Sequence, residues 1–451
     1  MATPSLNRDY ERRPYWHATM PALQDRRGRK LPDTADIVVV GGGYTGVAAA
    51  RRLARSGRRV VLLEANHLGW GASTRNGGII HPGFKWGPET LVKRWGKDTG
   101  RALYRETIDA FAFLTGLIRD EGIDCELRTS GHLEVAWGRA DAADFEAERE
   151  ALAAVGVTSH VVAPERIRDE IGTDAYFGAI AIDGSGVLHP GKWFAGLVGL
   201  ADRAGADLHE GVRARALRRQ SDGRVVVETE RGPIIAGHVL IATNGYTDGV
   251  APSVRRRLIA IGSYVIATEP LTEAQVRETL PTGRAVFDTK NFLNYWHISA
   301  DRRMIFGGRV SFMPTWTGRT AKLLYDQLVT IHPQLEGMRV AYAWGGKVAL
   351  TMDRMPHVGR IGGANGAITY SVGYSGTGVV ASTYLGTKAA EWIEGGEPPV
   401  IAKLRFPLVP APYEGRPWFL PLVGEWFRIQ DRRARGGGPK AGRLESGGGV
   451  G

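Results

Sequence analysis

The strongest constraint on the fold lies between Asp36 and Glu64. A short apolar run, Ile37-Val38-Val39-Val40, leads into Gly41-Gly42-Gly43-Tyr44-Thr45-Gly46. An Ala-, Arg- and Leu-rich stretch follows from Val47 to Ser56, stops at Gly57, and gives way to a second apolar run, Val60-Val61-Leu62-Leu63. Short apolar runs bounded by turn formers read as buried strands, and the stretch that closes on a glycine reads as a helix. Strand, helix, strand implies a parallel pair.

The glycines have separable jobs. Gly41 permits the tight turn, Gly43 lets backbone approach a pyrophosphate, and Gly46 lets the helix pack closely on the strand. The helix start, with Tyr44 and Thr45, offers N–H groups and a positive dipole end to phosphates. Glu64 closes the second strand 18 residues after Gly46, where an acid accepts hydrogen bonds from ribose hydroxyls, and Ala65 belongs to the same edge. Taken together these features predict a bound dinucleotide. A second glycine-rich segment, Gly69-Trp70-Gly71-Ala72-Ser73-Thr74-Arg75-Asn76-Gly77-Gly78, follows at once. Small residues and donors there suit a long extended cofactor running toward a flavin ring, so FAD is favoured over NAD.

Downstream, helical patterns cover Glu89 to Asp120, Ala140 to Ala154 and His189 to Ala204, with a short strand at Gly131 to Trp137. Three alternating runs (Val212 to Leu217, Arg224 to Glu230, Pro233 to Gly237) form a meander before the apolar strand Val239 to Ala242. Such a meander in place of a crossover helix also points to FAD. Residues 251–349 alternate as strands do, with a helix at Thr317 to Thr330; one more strand (Gly366 to Val372) and helix (Gly376 to Glu394) follow. No repeats are visible.

Composition excludes more than it identifies. No apolar stretch approaches the roughly 20 residues of a membrane span, and no secretory signal is readable, so a cytoplasmic location is expected. The formal charge of +11 comes from arginines spread along the chain rather than a binding stripe, so no nucleic-acid partner is expected. A single cysteine, Cys125, rules out an internal disulfide, a cysteine-cluster metal site and a dithiol relay; no metal ligand set is identified.

The segment Asp36 to Gly78 resembles the FAD-dependent amine and amino-acid oxidoreductases of the D-amino-acid oxidase superfamily, most closely the gamma-glutamylputrescine oxidoreductase-like branch. Further pieces agree in order: Cys125 to Val135, Leu188-His189-Pro190, Ala242 to Tyr246, Phe306 to Arg309, Met352 to Arg360 and Gly373 to Gly378. The resemblance implies an α/β chain (α+β overall): a Rossmann-like FAD-binding domain of the two-dinucleotide-fold type plus a mixed β-sheet substrate domain with helices on one side. The expected segments are an arm at 1–34, an FAD domain from 35–82, 159–250 and 350–400, a substrate domain from 83–158 and 251–349, and a C-terminal extension at 401–451 whose Gly- and Arg-rich tail, from Asp431, reads as disordered.

By the same similarity Gly71, Ala72, Ser73, Arg75, Asn76, Gly77 and Gly78 lie along the ribityl chain and flavin ring, Ala214 touches adenine, and Thr243, Asn244 and Gly245 sit near the diphosphate. Gly373, Ser375, Gly376 and Thr377 form a turn between a strand and a helix, whose free N–H groups would stabilise negative charge on reduced flavin. Three departures matter. Thr377 stands where relatives often have His. Neither the cysteine near Gly346 and Lys347 nor the histidine at Asn76 that tethers FAD in some relatives is present, so noncovalent FAD is expected. Val380 replaces a carboxylate-binding lysine, so a simple N-methylglycine pocket is not expected.

The implied chemistry is oxidation of a C–N bond in a small amine or amino acid: hydride to flavin N5, hydrolysis of the imine, and electrons to O2 or another acceptor. Candidate catalytic residues are Lys347, Tyr295 and His81. Lys347 is either a cation over the flavin or a solvated surface lysine; only one of Tyr295 and Trp296 can face the ring; His81 borders the ring or is structural. Arg309 reads as an ion-pair partner. A non-catalytic flavin-binding subunit of a larger complex is the alternative.

Overall fold

The protein is described by a computed structural model covering residues 6–309, 317–363 and 365–436. The predicted unit forms as expected. Strand Thr34–Val40 pairs in parallel with Val60–Leu63, Ile37 opposite Val60 and Val40 opposite Leu63, and helix Tyr44–Arg55 connects them. The sheet continues in parallel through Asp207–His209 on one side and Ile234–Ile241 and Ile368–Val372 on the other, with His357–Ile361 antiparallel at the edge. Its strands are apolar on both faces because both are covered. Val39 and Leu62 pack under helices Tyr44–Arg55, Pro190–Arg203 and Gly378–Ile393, while Val38 and Val61 pack beneath strands Ala214–Arg219 and Val225–Thr229 of the meander.

The meander differs from expectation in one respect. Its third run and the apolar strand after it are one strand, Ile234–Ile241. Gly237 reads in sequence as a boundary, but a Cβ there would lie 3.0 Å from the Asp36 carbonyl oxygen, so it serves close strand approach rather than a turn. The helical pattern from Glu89 to Asp120 is two helices, Pro88–Trp95 and Lys97–Asp120, broken at Gly96 with φ +83°.

A second sheet of eight strands runs in the order Val340–Leu350, Ile259–Pro270, Arg303–Gly308, Asn294–Ile298, Ala285–Asp288, His132–Val135, Ala179–Ile182, Ser159–Val162. The last two strands fall inside the 159–250 segment assigned above to the FAD domain, yet they pair with this sheet. They are short, and alternation at Ser159–Val162 is too brief to show in sequence. Helix Thr317–Ile331 packs Leu324 and Leu328 against Ile266, Trp296 and Phe306 on one face. The other face carries Glu134, Phe287, Tyr295 and Gly307 side by side in register, and it is turned toward the glycine-rich segment.

The arm docks. Tyr15 and Trp16, on the short helix Tyr15–Thr19, are buried, and the Trp16 indole donates to the Asn76 carbonyl at 2.8 Å. At the other end, helix Leu420–Ala434 overrides the expectation of disorder from Asp431: the Asp431 carboxylate accepts the backbone N–H groups of Asn291 and Phe292 at 2.9 and 3.0 Å. The Gly-rich remainder of the tail lies outside the described residues.

Candidate active site

The fingerprint is built by close backbone approach. Gly41 has φ +114°, and a Cβ there would lie 2.7 Å from the Ala242 carbonyl oxygen; a Cβ at Gly46 would lie 1.9 Å from the Gly41 oxygen. The helix start is therefore pressed onto the end of the first strand. Ser73 Oγ accepts the Tyr44 N–H at 2.9 Å and would meet a Cβ at Gly43 at the same distance, tying the second glycine segment to the first. Glu64 accepts from the N–H groups of Gly42 (2.9 Å) and Asn66 (2.8 Å), which fixes its carboxylate at the cleft wall. Gly46 itself is behind the wall.

These elements open an elongated cleft of about 560 Å³. Gly41, Gly43, Tyr44, Thr45, Glu64, Ala65 and Ala214 line one part of it; Gly71, Ala72, Ser73, Asn76, Thr243, Asn244 and Gly245 the middle; Ser375 and Gly376 a further part. Thr45 Oγ1 and the Tyr374 hydroxyl meet at 2.7 Å, joining helix Tyr44–Arg55 to the turn before helix Gly378–Ile393. Gly373 (φ +84°) donates to Asn244 Oδ1 at 2.9 Å, and Asn76 braces its own loop, donating to Ala72 and Ser73 and accepting from Gly78 N. Residues not recognised in sequence also line the cleft: Asn66, Trp70, Val212, Arg213, Arg255 and Gly415 among them. Arg255 belongs to the Arg255-Arg256-Arg257 cluster, and its position could be read only from the fold.

Six predicted cofactor residues stand outside the cleft lining: Gly46 and Gly373, already described, and Arg75, Gly77, Gly78 and Thr377. Arg75 donates to the carbonyls of Trp70 (2.7 Å) and Gly345 (3.2 Å). The space of a Cβ on Gly77 is filled by the Tyr295 ring at 2.4 Å, and that on Gly78 by the Leu188 carbonyl oxygen at 2.3 Å. Thr377 caps helix Gly378–Ile393 and donates to the Tyr374 carbonyl.

The three catalytic candidates are not brought together. Lys347 is exposed at the cleft edge, its Nζ 5.4 Å from the Tyr246 ring centroid and its Cβ beside Gly245. Tyr295 and Trp296 face opposite sides as alternation requires: Trp296 lies in the core with Phe306, while Tyr295 lies between Gly77 and Gly307, where a Cβ would touch its ring at 2.4 and 2.2 Å. Burial raises the Tyr295 hydroxyl pKa, keeping it protonated. His81 lines a separate small recess with Phe84, Thr377, Val380 and Tyr384. Its Nδ1 lies 2.8 Å from the Pro82 carbonyl oxygen, so Nδ1 carries the proton and Nε2 is the acceptor nitrogen of the neutral ring. Burial lowers its pKa, favouring the neutral ring.

Beside this recess is a group of cations whose convergence the sequence did not show. The Arg309 guanidinium lies 3.8 Å from the Cβ position of Gly376. It feels Arg354 and Tyr295, and desolvation brings it down to about 10. Arg354 and Lys85 are likewise lowered by desolvation, and Lys85 feels both arginines. Among the described residues none of the three side chains makes an ion pair, contrary to the expectation for Arg309. Glu134, opposite Phe287 in the sheet, is pushed up to about 7 by burial and then by Glu148.

A family model described as FAD dependent oxidoreductase matches residues 36–392. The chain belongs to this family. The gamma-glutamylputrescine oxidoreductase of Escherichia coli (strain K12) is 32% identical over 404 residues, spanning 88% of this chain and 93% of that protein. The probable oxidoreductase OrdL of Rhizobium meliloti (strain 1021) is 33% identical over 403 residues, 88% and 92% of the two chains. Among solved structures, glycine oxidase from Geobacillus kaustophilus aligns with TM-score 0.69 at 21% identity, covering 81% of this chain and 96% of that one. L-proline dehydrogenase from P.horikoshii aligns with TM-score 0.70 at 21% identity, covering 83% and 96%. The enzyme is thus an FAD-dependent oxidoreductase of the D-amino-acid oxidase type, and its two-sheet architecture is the one these structures share.

The residues present suit that cofactor. The glycine turn Gly41 to Gly43 puts no side chain before the helix start, Glu64 is held at one wall, and the cleft follows the carboxyl ends of parallel strands, where open α/β sheets bind their ligands. No helix among the described residues is long and apolar enough to cross a membrane.

Proposed function

We propose that the enzyme oxidises a C–N bond of a small amine or amino acid that also carries an acidic group. FAD, when bound, supplies the hydride acceptor. The placement of His81 carries this reading: a neutral imidazole, its Nδ1 committed to the Pro82 carbonyl, that lines the recess between helix Lys97–Asp120 and the start of helix Gly378–Ile393. Nε2 accepts the proton a substrate ammonium must lose before its carbon can give up hydride. Tyr295 holds the facing strand against Gly77 and excludes water from that side. The N-terminus of helix Gly378–Ile393 offers N–H groups to negative charge at the cleft. Arg309 and Arg354, which make no ion pair among the described residues, supply positive charge beside the recess, which suits a carboxylate on the substrate; Lys85 is offset by Glu134 and Glu148.

Lys347 is assigned no catalytic part, since it is exposed beside Tyr246. FAD is held without a covalent bond: Cys125 is buried, with its thiol pushed up to about 12 by burial, and it is not among the cleft residues. Acid precipitation of the protein should therefore leave the flavin in the supernatant; yellow colour in the pellet would contradict this. A panel of amines with and without a carboxylate, followed by flavin reduction and by peroxide release in air, tests the substrate class and separates O2 from another acceptor.

A further inference from the structure

The C-terminal helix Leu420–Ala434 lies beyond the residues matched by the family model, and its two faces are unlike. At 100° per residue, Leu420, Gly424, Phe427 and Asp431 fall on one side. That side is fixed to the body of the protein: Leu420 and Phe427 join Ile259, Ile261 and Leu350 in a core, and Asp431 accepts from Asn291 and Phe292.

The opposite side carries Leu422, Trp426 and Ile429, which are 74%, 55% and 36% exposed, and Trp418 just before the helix is 61% exposed. These positions, three and four apart, form one stripe. Arg433 falls on the same stripe at the helix end, with Arg432 at its flank and Arg416 before Trp418, while Glu425 on that flank is neutralised by Arg428 at 2.9 Å. Isolated surface apolar residues need no explanation, but two tryptophans, a leucine and an isoleucine on one face, bordered by arginines, mark a docking surface.

We propose that this helix docks the enzyme on the surface of an anionic lipid bilayer, lying in the interface without crossing it. Tryptophan favours the headgroup level, leucine and isoleucine enter the acyl boundary, and arginines at the edge meet lipid phosphates. The charge selects this occupant over a second copy of the chain: each copy carries +11, which favours an anionic surface and opposes self-association. Helix and cleft are neighbours, since Gly415 of the preceding segment lines the cofactor cleft and Val348, another lining residue, packs on the helix's own cluster.

The test uses the full-length holoenzyme in flotation with vesicles of phosphatidylcholine alone and of equal parts phosphatidylcholine and phosphatidylglycerol. The wild type should float with the anionic vesicles, its tryptophan emission should shift to the blue, and raised salt should weaken binding. Leu422→Glu with Trp426→Glu, both on the exposed face, should lower the partition coefficient on the order of tenfold or more, with flavin content and thermal midpoint unchanged. Trp426→Phe, which keeps an aromatic ring, should retain most of the binding. Absence of flotation by the wild type, or equal flotation of wild type and double variant, would overturn the proposal. So would a concentration-dependent dimer that the double variant converts to monomer, since the stripe would then be a contact between copies.

Discussion

Replacing Gly46 with alanine isolates the fingerprint's geometry from its chemistry. The residue is helical and its backbone is not strained, so the added methyl acts only through space. It would lie 1.9 Å from the Gly41 carbonyl oxygen and 3.2 Å from Val39 Cγ1, where real Cβ atoms essentially never come within 3.0 Å of a neighbour. The first atom is backbone in the phosphate-binding turn and cannot rotate away, so helix and strand must separate by about 1 Å. Overpacking of this kind costs about 1–3 kcal/mol; alanine's helix propensity returns up to about 1 kcal/mol. The net loss of about 1–2 kcal/mol corresponds, for a chain of 451 residues, to a fall of only about 1–2 °C in thermal midpoint. Cofactor retention should suffer more, because the helix start and Gly41 are the surfaces against which the pyrophosphate is placed. The assay is flavin content per protein after gel filtration, with the thermal midpoint. Gly249→Ala is the control, since a Cβ there meets nothing within 4 Å. If Gly46→Ala retains flavin and melts like Gly249→Ala, the role assigned to this close approach is wrong.

Glu64→Ala should weaken FAD retention about tenfold or more, by loss of a charge-assisted acceptor and of the bonds holding Gly42 and Asn66; flavin release on dilution measures it. Arg309→Gln should raise KM for a carboxylate-bearing amine on the order of tenfold or more while changing KM for its carboxylate-free counterpart little; equal effects on both would remove the arginine from substrate recognition. Glu134 ionises near 4.5 when unfolded and near 7 in the fold, where Glu148, Lys85, Asp141 and Asp288 face it. Its raised pKa favours the folded state fully below pH 4.5, and that contribution is lost as pH rises through 7. Glu134→Gln should therefore flatten the thermal midpoint between pH 5 and 8, and an unchanged slope would place the titration elsewhere.

The cofactor half of the molecule was legible because its determinants are local. Gly41, Gly43, Gly46 and Glu64 sit within one supersecondary unit, and apolar runs such as Ile37 to Val40 need no partner to be recognised. The substrate half was legible only in part. Alternation showed that Tyr295 and Trp296 must diverge, but which of them faces the cofactor depends on Gly77 and Gly307, which lie far from Tyr295 in sequence. Arg309, Arg354 and Lys85 come from three separate segments and share no pattern, so their convergence is a property of the fold alone. Lys347 shows the reverse: a lysine in a suggestive turn, carried to an exposed edge by the strand Val340–Leu350. The helix Leu420–Ala434 was obscured by the Gly- and Arg-rich composition that begins within it.

The central claim is that an amine delivers a hydride to FAD held in this cleft. Anaerobic mixing of the yellow holoenzyme with the amine panel, followed at the oxidised-flavin band near about 450 nm, tests it most directly. The account predicts bleaching by at least one carboxylate-bearing amine and recovery of the band when an electron acceptor is admitted. A band that dithionite bleaches but no amine in the panel does would contradict it.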